Sequence, residues 1–202
     1  YFSFDNETDG FTGEGAEAAK EGSSSLAAAG WRGKALQLSG NQYLNVTKEN
    51  GTSLLTGLEG ITVSYYSKCK ADGHSGWSFY AAPSTNPPGT NNENYLGILD
   101  KKDTVNVESY IGSRSNPTSA SLSTGGLANE WRHVVVTYND KGISLYIDGK
   151  LKQTKTKGSA SSIATMLGES SIIQIGKAQW GSGEYYQGLI DEFSIYDYVM
   201  TE

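Results

Sequence analysis

The sequence predicts an all-β fold, a two-sheet antiparallel β-sandwich of the jelly-roll kind. Three observations lead there. Short strand-like segments recur along the whole chain with turn residues between them, and no long amphipathic helical pattern competes with them. The composition, with Gly 25, Tyr 13 and only 19% charged residues, suits pleated surfaces joined by many tight turns. The strand segments alternate apolar and polar residues, as sheets with one face packed inward require.

Lys34–Leu38 alternates, ends at Ser39-Gly40-Asn41, and is followed by a second short strand over Tyr43–Val46. Ile61–Tyr66 is β-branched and aromatic, and Cys69 at the end of that strand reads as a small buried hydrophobe. Trp77–Tyr80 leads into an irregular segment over Pro83–Asn94, rich in Pro, Asn and Thr, after which strands are predicted at Tyr95–Leu99 and Val105–Ile111. Asp100 and Asp103 flank lysines in what reads as a turn.

The strongest local signal is Trp131–Tyr138, then Asn139–Gly142, then Ile143–Ile147 and Asp148-Gly149. Asp-Gly is the preferred filling of a two-residue hairpin turn, where both positions take positive φ. Glu14–Ala29 is rich in Ala and Glu, but Gly13, Gly15, Gly22, Gly30 and a serine triplet break any helix. It reads as an irregular surface loop. A short helical turn is expected near Ser161–Leu167.

No linker, repeat or long charge block divides residues 1–202, so one domain is expected. The net charge of -6 argues against nucleic acid as partner, because phosphate binding needs a basic face. No apolar run approaches the roughly 18 residues of a membrane span. Cys 1 and His 2 exclude an internal disulfide and argue against a structural zinc site. The chain begins at Tyr1 and reads as a monomeric piece of a longer protein. The sequons at Asn6, Asn45 and Asn50 read as chance in a chain rich in Asn, Ser and Thr.

In order along the chain, Tyr1–Asp5, Gly33–Leu38, Tyr43–Val46, Ile61–Ser64, Trp131–Tyr138, Leu145–Gly149 and Gly188–Tyr196 resemble the laminin-G-like, concanavalin-A-like jelly rolls, in the bacterial branch appended to glycosidases. The resemblance implies the same sandwich and an extracellular or cell-surface setting beside catalytic or adhesin domains. It also implies a structural Ca2+ near the chain ends, with Asp5 and Asp191 as the matching carboxylates and Asp9 and Asn6 as further oxygen donors. The alternative is that Asp5 and Asp191 are hydrogen-bonded to backbone amides or a lysine.

The residues themselves point to sugar binding. Saccharides are held by an aromatic ring against their C–H face and by amides, carboxylates or guanidiniums reading hydroxyls. Trp180, between Gln179 and Gly181-Ser182-Gly183, is placed on an exposed perch; Tyr185 or Tyr186 is expected beside it with the other inward, and Gln179, Glu184 and Lys177 supply polar groups. Trp77, Tyr80 and Tyr95 form a second candidate cluster, and Tyr110 with Arg114 near Asn116 a third. Trp31 and Trp131 are read as structural, and His133 as a satisfied core residue. Asp191 and Glu192 are adjacent, so on a regular strand they face opposite sides and cannot form the carboxylate pair about 5–5.5 Å apart that a retaining glycosidase needs. His74 falls in a solvated turn, and no nucleophile–histidine arrangement is suggested. The expectation is a non-catalytic carbohydrate-binding module; the competing reading is a protein-interaction or bracing module.

Overall fold

A computed structural model describes residues 1–6, 11–13, 15–22, 25–27, 29–70, 76–84, 94–111, 118–123, 128–156, 162–168, 170–179 and 184–201. The strands are β1 (Phe11–Gly13), β2 (Ala16–Glu21), β3 (Ser25–Ala27), β4 (Ala35–Ser39), β5 (Tyr43–Thr47), β6 (Ile61–Cys69), β7 (Gly76–Pro83), β8 (Tyr95–Asp100), β9 (Thr104–Tyr110), β10 (Thr118–Ser123), β11 (Arg132–Asn139), β12 (Gly142–Ile147), β13 (Lys150–Thr156), β14 (Ser171–Ile175) and β15 (Gln187–Tyr196). One helical turn, α1 (Ile163–Leu167), is capped by the Ser162 side chain, which accepts from Thr165 N. The strands form an 8-stranded sheet, β1-β2-β5-β14-β7-β8-β9-β10, and a 7-stranded sheet, β13-β12-β11-β6-β15-β4-β3. All their pairings are antiparallel, and the expected sandwich is what the chain forms.

Alternation sorts each strand between core and surface. Leu44 and Val46 of β5, Val105 and Val107 of β9, Val63 and Tyr65 of β6, and Val134 and Val136 of β11 all point into one continuous core. Phe193 sits at its middle, its ring 5.6 Å from Tyr65 and 6.3 Å from Phe79. The predicted Asp148-Gly149 turn joins β12 to β13 with φ of 52° and 72°, which the glycine takes without strain.

Three expectations are corrected. Glu14–Ala29 is not a loop: β2 and β3 lie within it, Ala16 and Ala18 facing the core while Glu17 and Ala19 face out. Its period of two is genuine but is written in alanine, a residue with no strand preference. Asp100 is not in a turn; it ends β8, points inward, and pairs with Arg132 in a fully buried ion pair that Ser67 completes. That pair joins one strand of each sheet. His133 faces outward from β11, half-buried rather than in the core, because Arg132 and Val134 on either side of it take the inward positions.

Candidate functional site

The outer face of the 8-stranded sheet gathers most of the aromatic residues expected to bind. A bulge between Trp77 and Phe79 turns Trp77 and Tyr80 outward while Ser78 and Phe79 stay in the core. Trp77, Tyr80, Ala82, Tyr95 and Leu99 then form a cluster separate from the main core, with Ala178 of the segment after β14 packed into it. The rings meet edge to face or tilted, Trp77 lying 5.9 Å from Tyr80 and 5.8 Å from Tyr95, and Tyr95 lying 4.7 Å from Tyr110. The Trp77 ring lies over Gly97 so closely that any Cβ there would collide with it.

These rings are closed to solvent: Trp77 is 3% exposed, Tyr80 and Tyr95 0%. They form a floor rather than an open stacking surface. Tyr95 donates to Glu108 Oε2 at 2.8 Å, and Trp77 Nε1 donates to Glu184. Glu184 is therefore beside the cluster, and its carbonyl also accepts Trp77 N at 3.3 Å.

A polar row crosses the same face. The register aligns Ala19, Asn45, Gln174, Tyr80, Gly97 and Glu108 on adjacent strands. Gln174 Nε2 donates to Asn45 Oδ1 at 3.1 Å, and Asn45 Nδ2 donates to Glu21 Oε1 at 3.2 Å. Gln174 is only 7% exposed, and its Oε1 has no hydrogen-bond donor among the described residues. Gln179 Oε1 is in the same condition. A buried amide oxygen without a donor costs on the order of 1–3 kcal/mol, and both of these are closed to solvent.

At the rim of this row two half-buried tyrosines flank a lysine. Lys177 Nζ lies 4.5 Å from the Tyr43 ring centroid and 5.4 Å from that of Tyr185, and the two rings are 6.2 Å apart. Tyr185 bridges to Trp77, which fixes the rim to the floor. Of the adjacent tyrosines, Tyr186 is the inward one, fully buried with its hydroxyl 2.9 Å from Ser67 Oγ and donating to Leu189 O at 3.2 Å. Burial pushes its phenol well above the ordinary tyrosine value, with the Asp100 charge adding to the effect. Trp180 and Arg114, both named from sequence, lie outside the described residues, as do His74, Asp9 and Asn116.

Tyr43, Asn45 and Gln174 were missed by the sequence reading. Their signal was present: Tyr43 and Asn45 alternate with buried Leu44 and Val46, and Gln174 interrupts an isoleucine-rich strand.

Asp5 and Asp191 converge on another place, the loop Gly30–Lys34. Asp5 Oδ1 accepts Lys34 N at 3.0 Å, and Asp191 Oδ2 accepts Arg32 N at 2.9 Å while its Oδ1 accepts Glu192 N at 2.8 Å. Gly33, with φ of 56°, lets Asp5 come so close that a side chain there would clash. Burial pushes the Asp191 carboxyl up, the backbone N–H groups of Arg32, Glu192 and Trp31 pull it down, and the Glu192 charge raises it again. The Tyr1 hydroxyl donates to Glu192 Oε2 at 2.9 Å and is pushed up to about 12, by burial first and then by Glu192, with Asp191 and Asp5 contributing. Among the described residues no three His, Cys, Asp or Glu side chains are grouped to hold a metal ion by themselves. Both carboxylates accept backbone N–H groups, the alternative to metal binding that the sequence left open.

The β15 strand is irregular at this point. Its register shifts between Asp191 and Ser194, and Glu192 takes φ of 50°. The bulge leaves Phe193 free to exchange backbone hydrogen bonds with Phe2, at 2.8 and 2.9 Å, which ties the chain start to the last strand.

The two-sheet antiparallel sandwich is a jelly-roll architecture. The chain belongs to the concanavalin A-like lectin/glucanases superfamily, whose laminin-G-type family profile matches residues 38–202. A search of curated protein sequences gives no match. Among solved structures, the CBM40 domain of the Ruminococcus gnavus IT-sialidase bound to α2,3-sialyllactose is similar, with TM-score 0.69, 14% identity, and coverage of 83% of this chain and 91% of that one. Domain 4 of the GH43 extracellular arabinanase AbnA from Geobacillus stearothermophilus, in complex with arabinotriose, has TM-score 0.69 and 18% identity over 99% of this chain and 92% of that one. A structure concerning ganglioside-dependent cell entry of botulinum neurotoxin type C matches at TM-score 0.64 and 18% identity, over 100% of this chain and 48% of that one. At these identities the likeness is one of fold.

Proposed function

We propose that the domain is a non-catalytic carbohydrate-binding module of an extracellular glycosidase or adhesin, binding glycan on the outer face of the 8-stranded sheet. The observation that carries this reading is the rim at β5, β14 and β7. There, half-buried Tyr43 and Tyr185 flank Lys177, beside the Asn45–Gln174 amide pair. Tyrosine faces take the C–H side of a pyranose. Glu21, Asn45 and Glu184 add acceptors at the edge. Fold likeness to a sialidase domain bound to sialyllactose and an arabinanase domain bound to arabinotriose supports the class of ligand.

Single-site affinity is expected to be weak, and attachment to a larger chain compensates by making rebinding intramolecular. A glycan array of the domain tests the reading. A hit weakened about tenfold, or 1.4 kcal/mol, by Tyr185→Ala or Tyr43→Ala supports it. A blank array from folded protein, or hits indifferent to both substitutions, would sink it.

A structural calcium ion held by Asp5 and Asp191 belongs to the same proposal, its role being to tie the chain start and β15 to the Gly30–Lys34 loop. What supports it is the pair's convergence on one loop, where burial outweighs the backbone N–H groups and pushes the Asp191 carboxyl up. Calcium at a hundred times its Kd would add about 2.7 kcal/mol. Thermal unfolding in calcium and in chelator reads this directly, and an unchanged melting temperature would remove calcium from the account.

A further inference from the structure

The opposite side of the sandwich carries a second surface of the same chemical kind, with a pair of lysines beside its aromatic rings. Trp31 is the most open tryptophan described, 47% exposed, and it is not loose. Its ring stacks on Tyr66 at 4.5 Å and 11°, and Tyr66 stacks on His133 at 4.6 Å and 18°. His133 is itself held by Ser64, whose Oγ is 2.8 Å from Nε2. The three rings stand side by side across the outer face of the 7-stranded sheet at about the spacing of strands, ~4.7–4.9 Å. The loop bearing Trp31 is pinned by Asp191 at Arg32 N and by Asp5 at Lys34 N. One indole face is thus covered by Tyr66 on a fixed base, a preformed arrangement that loses little entropy when a ligand arrives.

Beside this stack runs a polar groove of about 380 Å³, lined by Gln37, Ser39, Lys68, Lys70, Asn129 and Gln187. The register places it next to the rings. Asp191 lies opposite Tyr66, and two residues earlier on β15 Leu189 lies between Lys68 and Gln37. Two residues along a strand span about 6.6–6.8 Å. The groove is also fixed, since Lys70 N donates to Gln187 O at 3.0 Å and Asn129 N donates to Cys69 O at 2.9 Å. The carboxylates nearest the rings are engaged, Glu192 by the Tyr1 hydroxyl and Asp5, Asp148 and Asp191 by backbone N–H groups.

An open indole face, three amides and two lysines, Lys68 on β6 and Lys70 just after it, together fit one kind of ligand. We propose that this face is a second, independent site for a uronic-acid-containing saccharide. A sugar ring lies on Trp31, Gln37, Asn129 and Gln187 read its hydroxyls, and Lys68 and Lys70 attract its carboxylate. Lysine acts as a flexible point charge, so attraction to the carboxylate weakens as salt rises. The site stands on different residues from the rim of Tyr43 and Tyr185, so either can fail without the other.

The test is calorimetric titration with galacturonate and mannuronate oligomers, each beside its fully methyl-esterified form. Binding of at least one acid oligomer, weaker as its ester and weaker in higher salt, is expected. Lys68→Gln with Lys70→Gln, and separately Trp31→Ala, should each weaken it about tenfold, while Tyr185→Ala leaves it unchanged. All these side chains are partly or well exposed, and matching melting temperatures confirm intact folds. No binding of either acid oligomer overturns the proposal. So does equal binding of acid and ester, or a loss through Tyr185→Ala that the lysine and Trp31 variants do not share.

Discussion

The two outer faces of the sandwich both present a row of aromatic residues, yet they treat them oppositely. On the 8-stranded sheet, Trp77, Tyr80 and Tyr95 are packed edge to face and shut away from water, and only the rim at Tyr43 and Tyr185 is partly open. On the 7-stranded sheet, Trp31, Tyr66 and His133 stand in a parallel stack that ends in an open indole. Aromatic content alone therefore does not locate a binding surface. The two faces differ in which rings remain open to solvent.

The largest effect expected is on the element that joins the sheets bearing those faces. Asp100 of β8 and Arg132 of β11 are both fully buried, and truncating one strands the other's charge in the core. Arg132→Met is expected to cost about 3–5 kcal/mol, and adding Asp100→Leu should recover most of it. Urea unfolding of the single and double variants checks this. A single variant as stable as the wild type would show that the pair does not hold the sheets together.

Next in size is the contrast between the two tryptophans. Trp77→Ala empties a closed site over Gly97 and should cost about 3–5 kcal/mol. Trp31→Ala removes one stacked pair from an open site, worth about 1 kcal/mol. Equal losses in melting experiments would erase the distinction between the faces.

The smallest effect comes from pH. Burial pushes the His133 imidazole below its ordinary 6.5, with Asp148 pulling weakly the other way. The folded state thus prefers the neutral ring. Its contribution to stability is present above pH 6.5 and is lost as pH falls through the lowered folded value. Stability measured at pH 7.5 and 5.5 should fall more in the wild type than in His133→Gln, by less than about 1 kcal/mol. An NMR titration placing His133 above 6.5 would contradict the stack's role in holding it neutral.

Much of this architecture is written in local pattern. Period-two alternation and the Asp148-Gly149 turn mark β6, β11, β12 and their hairpin, because side-chain direction and positive φ are properties of a few adjacent residues. Residues Glu14–Ala29 escaped since alanine alternation carries little apolar contrast. The candidate site was legible in part. Trp77, Tyr80 and Tyr95 do gather, as their types suggest, but no local pattern shows that they pack against each other and close. Gln174 and Asn45 meet only through strand pairing across more than a hundred residues of chain, and Trp31 is opened by a loop that Asp5 and Asp191 grip from opposite ends of the sequence. Those are tertiary facts, settled by register rather than by neighbours.

The central claim is that glycan binds at the rim of the 8-stranded sheet, where Tyr43 and Tyr185 flank Lys177 beside the Asn45–Gln174 amide pair. It is tested most directly by following the side-chain amide NMR signals of Asn45 and Gln174 while titrating in an oligosaccharide that scores on the array. The account predicts that both signals shift in parallel with the binding curve and that Tyr185→Ala weakens the shifts about tenfold. Saturable binding that leaves both amides unmoved would contradict it.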